Sequence, residues 1–444
     1  MKTISKNFRK NIRGSTRKTI GKNTGSAFLS LLLFAALFCL SINPAFAFAS
    51  ELPCGGGDGE ISEEDLATAV CAYMLDKGEN SLDDVGDAAY IYTFWDGKAK
   101  TIIDMHDRSV TFYRPIERII TTNPDNSRII IAFGDLDEIV STDECTRGGC
   151  VLPRDVEENK LAPKAWEALQ VHGGGELDSL PETNTRKEID YETMAILKPD
   201  VVFDAIWYSR GDLVEEKIGC PCVEAGTGFT FEDMYTHMRL LGEVLDREEE
   251  AEHLEQFSRA EVDLVKSVTD KLDENEIPTV YFASRGAKKG FYDSVEGRDF
   301  TRTEAVYEPL NIAGGSNLAK DCTGELVNVA PEQIVAWAPE YIFVAWSTWE
   351  NQTGKDFVIE TPELGDIPAV KNGHVYDCLY PFCRGQPLDR SLLNMLYMAK
   401  CLHPEEFKDL DLEKEGNKIY KELYGVDGMF TVLAEYYGFP KEVF

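Results

Sequence analysis

The sequence is short of positive charge and of long apolar segments. Lysine and arginine total 45 against 78 aspartates and glutamates, and the formal net charge is −33. An acidic surface of this kind repels nucleic acid and anionic lipid, so we expect neither as a bulk partner. Beyond the N terminus, no apolar run is long enough to span a bilayer.

Several patterns typical of enzymes and metal sites are missing as well. The chain has no GxSxG, no P-loop, no GxGxxG with a downstream acid and no CxxC. Its six histidines are scattered. A receptor for a bare metal ion uses a compact set of His and carboxylate ligands, so direct metal binding is disfavoured. We therefore expect no catalytic residue, no resident cofactor and no protein metal ligands.

The N terminus carries the features of an export signal. Residues 1–22 contain eight Lys and Arg and no acid, and an apolar run from Ala27 to Ile42 follows. Small residues in Pro44–Ala47 then offer a cleavage site. We expect residues 1–47 to be a signal peptide, with an uncleaved anchor as the alternative. The mature protein would then lie outside the cytoplasmic membrane, in the periplasm or on the cell surface.

Cysteine usage agrees with export. The chain has 11 cysteines, and only Cys39 lies in the signal. An even remaining number in an exported protein predicts disulfides. Cys145 and Cys150 close a short loop, and Cys378 and Cys383 have the same spacing, so both pairs are candidate local bridges.

Strand and helix patterns alternate along most of the chain, which predicts an α/β fold with parallel sheets. A long amphipathic helix near the middle suggests a strut between two lobes. We expect residues 1–47 to be the signal, 48–105 a small helical unit, 106–245 the N-terminal lobe, 246–275 the connecting helix and 276–444 the C-terminal lobe. The small unit resembles half of a dockerin or EF-hand loop, but Cys54 and Gly56 occupy two ligand positions and cannot supply side-chain oxygens.

A short internal echo supports two similar lobes. Glu192 and Glu332 each open a predicted helix, which is followed by a proline turn and a buried strand: Pro199–Phe203 in one case and Pro339–Phe343 in the other. Repetition of a helix, a turn and a strand at matching places indicates related halves.

Motifs in order along the chain resemble the class III periplasmic-binding family, whose members serve ABC importers of siderophores, haem and cobalamin. The resemblance covers roughly Asp107 to Gly425. It is carried by the segments Arg118–Ile120, Leu197–Val202, Leu241–Glu252, Ile312–Asn317, Ala369–Tyr376, Leu402–Phe407 and Leu423–Gly425. It implies two α/β lobes joined by one rigid helix, with the ligand in the cleft between them. It also implies that Glu192 and Glu332 pair with arginines of the permease.

Aromatic and arginine side chains follow the predicted strands and are the candidate ligand contacts. A chelate ligand needs apolar walls and a few donors, and binding residues gather at strand ends. The candidates are Trp207, Tyr208, Arg210, Arg285, Trp346, Trp349, Tyr380, Phe382 and Arg384, with Arg147 and Arg154 as further possibilities. Each aromatic could equally be a packing residue.

These observations favour a monomeric receptor that captures a metal chelate, with a ferric siderophore first, and delivers it to an ABC permease. A cobalamin or haem receptor of the same type is an alternative. A cell-surface assembly protein, tethered through the N-terminal unit, is another. An enzyme on a related two-lobed fold is disfavoured because the catalytic motifs are missing and the chain carries an export signal.

Overall fold

The computed structural model describes residues 51–55, 59–75, 80–143, 146, 180–184, 188–226, 228–283, 300–324, 326–345, 354–378 and 387–437. The predicted signal peptide lies outside them. The chain divides into two compact units. The first contains residues up to Thr101 and Ser109–Ile116, and the second contains Ile102–Arg108 and Glu117 onward. Among the described residues, no helix is both long and apolar enough to cross a membrane.

The first unit is a pair of helices and most of a β-hairpin. Its elements are α1 Glu63–Met74, α2 Leu82–Phe94, β1 Lys100–Ile103 and β2 Ser109–Phe112. Both helices start at a serine whose side chain and backbone exchange hydrogen bonds with an aspartate three residues later, a pattern that satisfies the free N–H groups of a first turn. A small core of Ile61, Leu66, Ala88 and Ile91 holds the helices together.

The second unit begins with a lobe built on a five-stranded sheet in the order β5-β4-β3-β6-β7, in which all pairings are parallel. Its elements are β3 Ile119–Thr121, α3 Pro124–Ala132, β4 Ile139–Asp143, β5 Glu182–Asn184, α4 Tyr191–Leu197, β6 Val201–Ala205, α5 Gly211–Ile218, β7 Cys222–Ala225 and α6 Phe231–Leu245. Strands β3 and β6 are buried on both faces, as expected for a parallel sheet covered by helices.

One helix of 22 residues, α7 Glu248–Thr269, joins this lobe to the next. It is shorter than the predicted 246–275 because Asp246 adopts a left-handed conformation that ends α6. Gly242 lets the two helices approach closely, since a Cβ there would lie 2.8 Å from the Cβ of Ala251. The hydroxyl of Tyr235 also lies 2.9 Å from that of Ser258.

The second lobe has a six-stranded sheet in the order β11-β9-β8-β12-β13, with β10 beside β8. Its elements are β8 Thr279–Ala283, β9 Arg302–Glu304, α8 Glu308–Ile312, β10 Ser316–Asn317, β11 Leu326–Asn328, α9 Pro331–Trp337, β12 Tyr341–Ala345, α10 Gly354–Ile359, α11 Pro368–Lys371, β13 Val375–Cys378, α12 Leu388–Leu402, α13 Leu412–Tyr424 and α14 Met429–Tyr437. The parallel pairs β8–β12 and β12–β13 form its centre. The expected fold class is therefore confirmed.

One sequence expectation about the end of the chain was incomplete. Two closing helices were predicted, but a third, α14, follows a turn at Gly428. Phe430 of α14 packs directly over Gly416 of α13, where a Cβ would lie 2.4 Å from the ring. The missing side chain at residue 416 is what admits this helix.

The cysteine prediction is wrong for one pair. Cys378 is a free thiol, so the expected bridge to Cys383 is not formed. The side chain is fully buried at the end of β13, and that burial raises its pKa, because the sulfur lies in the core. Cys54, Cys71, Cys220, Cys222, Cys322 and Cys401, the other described cysteines, are free as well. The pair Cys145 and Cys150 falls outside the described residues.

Candidate functional site

The candidate site lies at the carboxyl ends of the first-lobe strands, which is where parallel sheets bind ligands. Three neighbouring strands, β3, β6 and β7, end there at Thr121, Ala205 and Ala225. The residues that follow are polar and buried, including Thr122 and Asn123. Asn123 also caps α3, because its side chain accepts a hydrogen bond from the N–H of Asn126 at 2.8 Å.

Arg210, a predicted ligand contact, forms a two-pronged ion pair with Asp204 of β6. Its Nε donates to Oδ2 at 2.7 Å and its Nη2 donates to Oδ1 at 2.9 Å. Asp204 is fully buried and also accepts a hydrogen bond from the hydroxyl of Thr122. The expected ligand-binding cation is thus already neutralised within the protein.

Trp207 and Tyr208, the two aromatic candidates of this lobe, lie on a short 3-10 turn between β6 and Arg210. The indole of Trp207 is 38% exposed and lies over Gly226, where a Cβ would be 3.2 Å from the ring. The guanidinium carbon of Arg210 stands 4.2 Å from the centre of the Tyr208 ring. The structure therefore brings all three described candidates together, with one exposed aromatic face.

A turn that the sequence analysis did not single out covers the edge strand β7. The N–H of Met105 donates to the carbonyl of Glu224, and the N–H of Glu224 donates to the carboxylate of Asp104. His106 and Arg108 approach the carboxylate of Glu224 at 3.0 and 3.7 Å. Covering an edge strand in this way removes a row of unpaired backbone groups.

Arg108 ties this turn to α5. Its Nε donates to Asp212 at 2.7 Å, and its Nη2 lies 3.0 Å from Glu215. Gly211 is required beneath it, because a Cβ there would lie 2.0 Å from Nη1 of Arg108. The alternation of acids in this stretch was the available sequence signal, but it did not reveal their partner 104 residues away.

Behind the strand ends, His237 of α6 is buried against α3. Its Nε2 lies 2.6 Å from the side-chain oxygen of Asn126, while Nδ1 has no hydrogen-bond partner among the described residues. Burial lowers the pKa of His237 to about 3, so the imidazole is neutral. We infer that Nε2 carries the proton, because an amide oxygen can only accept.

The two predicted docking glutamates occupy matching places in the two lobes. Glu192 lies in the first turn of α4 and Glu332 in the first turn of α9, and both are exposed. Each helix has seven residues, ends at a non-glycine residue in the left-handed conformation, and leads into a five-residue strand. Asp200 and Glu340 then hold equivalent turns by accepting backbone N–H groups from Arg118 and Thr279.

Several candidates fall outside the described residues, so the structure gives no account of them. These are Arg285, Trp346, Trp349, Tyr380, Phe382 and Arg384, together with Arg147 and Arg154. Within the described part of the chain, no group of three or more His, Cys, Asp or Glu side chains is placed to hold a metal ion.

The acids of the N-terminal unit have structural partners. Glu60 pairs with Lys98 at 2.9 Å, and Asp65 closes the first turn of α1 through Ser62. Arg114 joins Asp84 and Asp87 at 2.6 Å each. These contacts account for the helical turn after the Gly-rich segment without a bound ion.

Comparison with known proteins gives a consistent picture. The sequence profile of the periplasmic binding proteins matches residues 119–379, more than half of the chain. A curated relative, the molybdate-binding protein MolA of Haemophilus influenzae, is 22% identical over 73% of this chain and 91% of its own. A periplasmic solute-binding protein from Veillonella parvula has a TM-score of 0.57 at 20% identity, covering 78% of this chain and all of the other. Helicobacter pylori CeuE, solved as a nickel–histidine complex, has a TM-score of 0.55 at 16% identity, covering 75% and 98%.

Proposed function

Because this chain belongs to the periplasmic binding protein family, we propose that it captures a metal chelate outside the cytoplasmic membrane and delivers it to an ABC importer. It is a solute-binding protein by family, and the identity of the solute is the substance of the proposal. A ferric siderophore is the first expectation, and a cobalamin or haem ligand is the alternative.

The exposed indole of Trp207 is the observation that carries the proposal. A large aromatic face left 38% open at the carboxyl end of a parallel sheet is a surface that a bulky, partly apolar ligand can cover. Tyr208 and Arg210 stand beside it, with the guanidinium stacked on the phenol ring. A chelate presents both apolar surface and oxygen acceptors, so it fits an aromatic wall next to a guanidinium donor.

The opposite wall of the cleft is proposed from the sequence. Strand ends of the second lobe would contribute Arg285, Trp346, Trp349, Tyr380, Phe382 and Arg384. These residues follow β8, β12 and β13, the central parallel strands of that lobe. Since parallel strands bring their carboxyl ends to one edge, residues after them converge on one surface.

A compact oxyanion is the second candidate, because the curated relative MolA is a molybdate-binding protein. The described half of the site fits it less well. A small dianion is best held by uncompensated cations, whereas Arg210 already shares its charge with buried Asp204.

Docking to the permease would use Glu192 and Glu332. Both acids are exposed on helices that repeat the same local geometry in each lobe. A repeated pair of charges matches a partner that presents two equivalent basic sites, and such pairing mainly sets orientation and association rate.

The test is a ligand panel on the mature protein. Tryptophan fluorescence and thermal shift would be followed with a ferric trihydroxamate, cyanocobalamin, haemin, nickel–histidine and molybdate. Saturable quenching and stabilisation by one of the chelates supports the proposal. A response to molybdate alone favours the oxyanion reading, and no response to any ligand moves weight to the tethering role of residues 48–105.

A further inference from the structure

Asp204 is a buried carboxylate whose partners belong to three different strand ends. It lies in β6 with no exposed surface, and it accepts from Arg210 twice and from Thr122 after β3. Nη2 of Arg210 also donates to the side-chain oxygen of Asn184 in β5 at 3.2 Å. The carboxylate is therefore the centre of a network that spans the floor of the candidate site.

The same network fixes the orientation of Arg210. Its backbone N–H donates to Glu224 of β7 at 2.7 Å, and its guanidinium stacks on Tyr208. With Nε and Nη2 engaged, Nη1 makes no hydrogen bond within the described part of the chain and can still donate. The guanidinium is thus a directed donor with little net charge, because a bidentate pair holds the fork in one geometry.

Building on the proposed receptor function, we propose that Asp204 is the positioning residue that sets the charge class of the ligand. By holding and neutralising Arg210, it makes the first-lobe floor select a neutral or weakly charged chelate with oxygen acceptors. A compact dianion is rejected, because any group that reaches Arg210 also approaches the buried charge of Asp204.

The network explains why this selection is robust. Removing the carboxylate charge would leave Arg210, a side chain 19% exposed, as an uncompensated cation at the strand ends. An amide at residue 204 could still accept the Thr122 hydroxyl, so the substitution changes charge more than shape. The cation would then attract oxyanions and lose the fixed direction in which it meets a neutral chelate.

The first test is Asp204→Asn, titrated by calorimetry with a neutral ferric trihydroxamate and with molybdate. The affinity for the trihydroxamate should fall about tenfold, and that for molybdate should rise about tenfold. Asp212→Asn is the matched control, since it removes an acid of the same lobe that is 91% exposed and pairs with Arg108 rather than Arg210. Its ligand preference should equal that of the wild type.

The second test is Arg210→Lys, at a half-exposed position where folding does not depend on a buried charge. Lysine keeps the charge and loses the fork, so trihydroxamate affinity should fall about tenfold with molybdate affinity nearly unchanged. An unaltered preference in both variants, or a wild type that prefers molybdate, overturns the assignment of Asp204. A wild type that binds no ligand of the panel would count instead against the receptor function.

Discussion

Arg128 of α3 donates from Nη1 to both carboxylate oxygens of Asp389, at 3.1 Å each, across 261 residues of sequence. The two side chains are 4% and 2% exposed, and they join the first lobe to the first turn of α12 in the second lobe. A small cavity of about 30 Å³ lies beside them, lined also by Met234, Leu254 and Tyr424. The lobes therefore meet through a buried charge pair as well as through α7.

Loss of either partner of this pair should destabilise the protein strongly. Arg128→Met leaves Asp389 as a buried, unpaired charge, and Asp389→Leu does the same to Arg128, so each should cost about 3–5 kcal/mol of unfolding free energy. The double variant should recover to within about 1 kcal/mol of wild type, because two apolar side chains can replace a buried pair. Urea denaturation followed by circular dichroism measures all three.

The exposed pair Asp366 and Lys371 is the control for that cycle. Its side chains are 96% and 58% exposed, so Lys371→Met should change the unfolding free energy by less than about 0.5 kcal/mol. Additive losses in the double variant of Arg128 and Asp389 would show that the two charges do not act as a pair.

Trp207→Ala should weaken ligand binding with little effect on stability. The indole is 38% exposed, so its removal costs little packing, whereas stacking and apolar cover of a ligand would be lost. We expect the Kd for the chelate to rise about 10- to 100-fold, measured by calorimetry. Phe94→Ala, which removes an aromatic side chain 47% exposed in the N-terminal unit, is the control and should leave the Kd unchanged.

Reversal of the docking charges should impair transport and spare binding. In Glu192→Lys and Glu332→Lys variants, the ligand Kd should stay at the wild-type value, because both acids lie on exposed helix turns away from Asp204 and Arg210. Stimulation of permease ATPase in proteoliposomes should fall about tenfold per substitution and weaken as salt rises. Glu243→Lys, at an exposed position of α6, is the control, and an equal effect there would contradict the assignment.

The fold was predictable where local signals repeat. Buried strands such as β6 and β12 are apolar runs that follow a proline turn, and α4 and α9 precede them at the same spacing. The helix predicted at Asn126–Phe133 is observed as Pro124–Ala132, with its start set by the Asn123 cap. Such features depend on neighbours in sequence, which periodicity and capping rules describe well.

The partners of the candidate side chains were not predictable, because they are set by tertiary contacts. Arg210 was expected to meet a ligand, yet its guanidinium is held by Asp204, six residues earlier across an irregular turn. The one available signal was an acid inside a buried strand, which must find a partner. Arg128 and Asp389 offered no comparable signal, since helix polar residues are usually solvated.

His237 should make stability fall in acid. Its pKa is lowered by burial to about 3 in the folded protein, whereas an unfolded histidine titrates near 6.5. Between these values the unfolded chain binds a proton that the folded protein does not, so the stabilising contribution is complete above about pH 6.5 and shrinks as the pH falls. At pH 5 the loss from this residue alone should be about 2 kcal/mol.

The measurement is the unfolding free energy of wild type and His237→Gln at pH 7.5 and pH 5. Glutamine can still donate to the oxygen of Asn126 but does not titrate, so the variant should lose about 2 kcal/mol less than wild type between the two pH values. His253→Gln is the control, because its side chain is 63% exposed and lies in no buried site. If His237→Gln and wild type lost equal stability in acid, the imidazole would have to be protonated in the folded protein, and the unpartnered Nδ1 would require an acceptor.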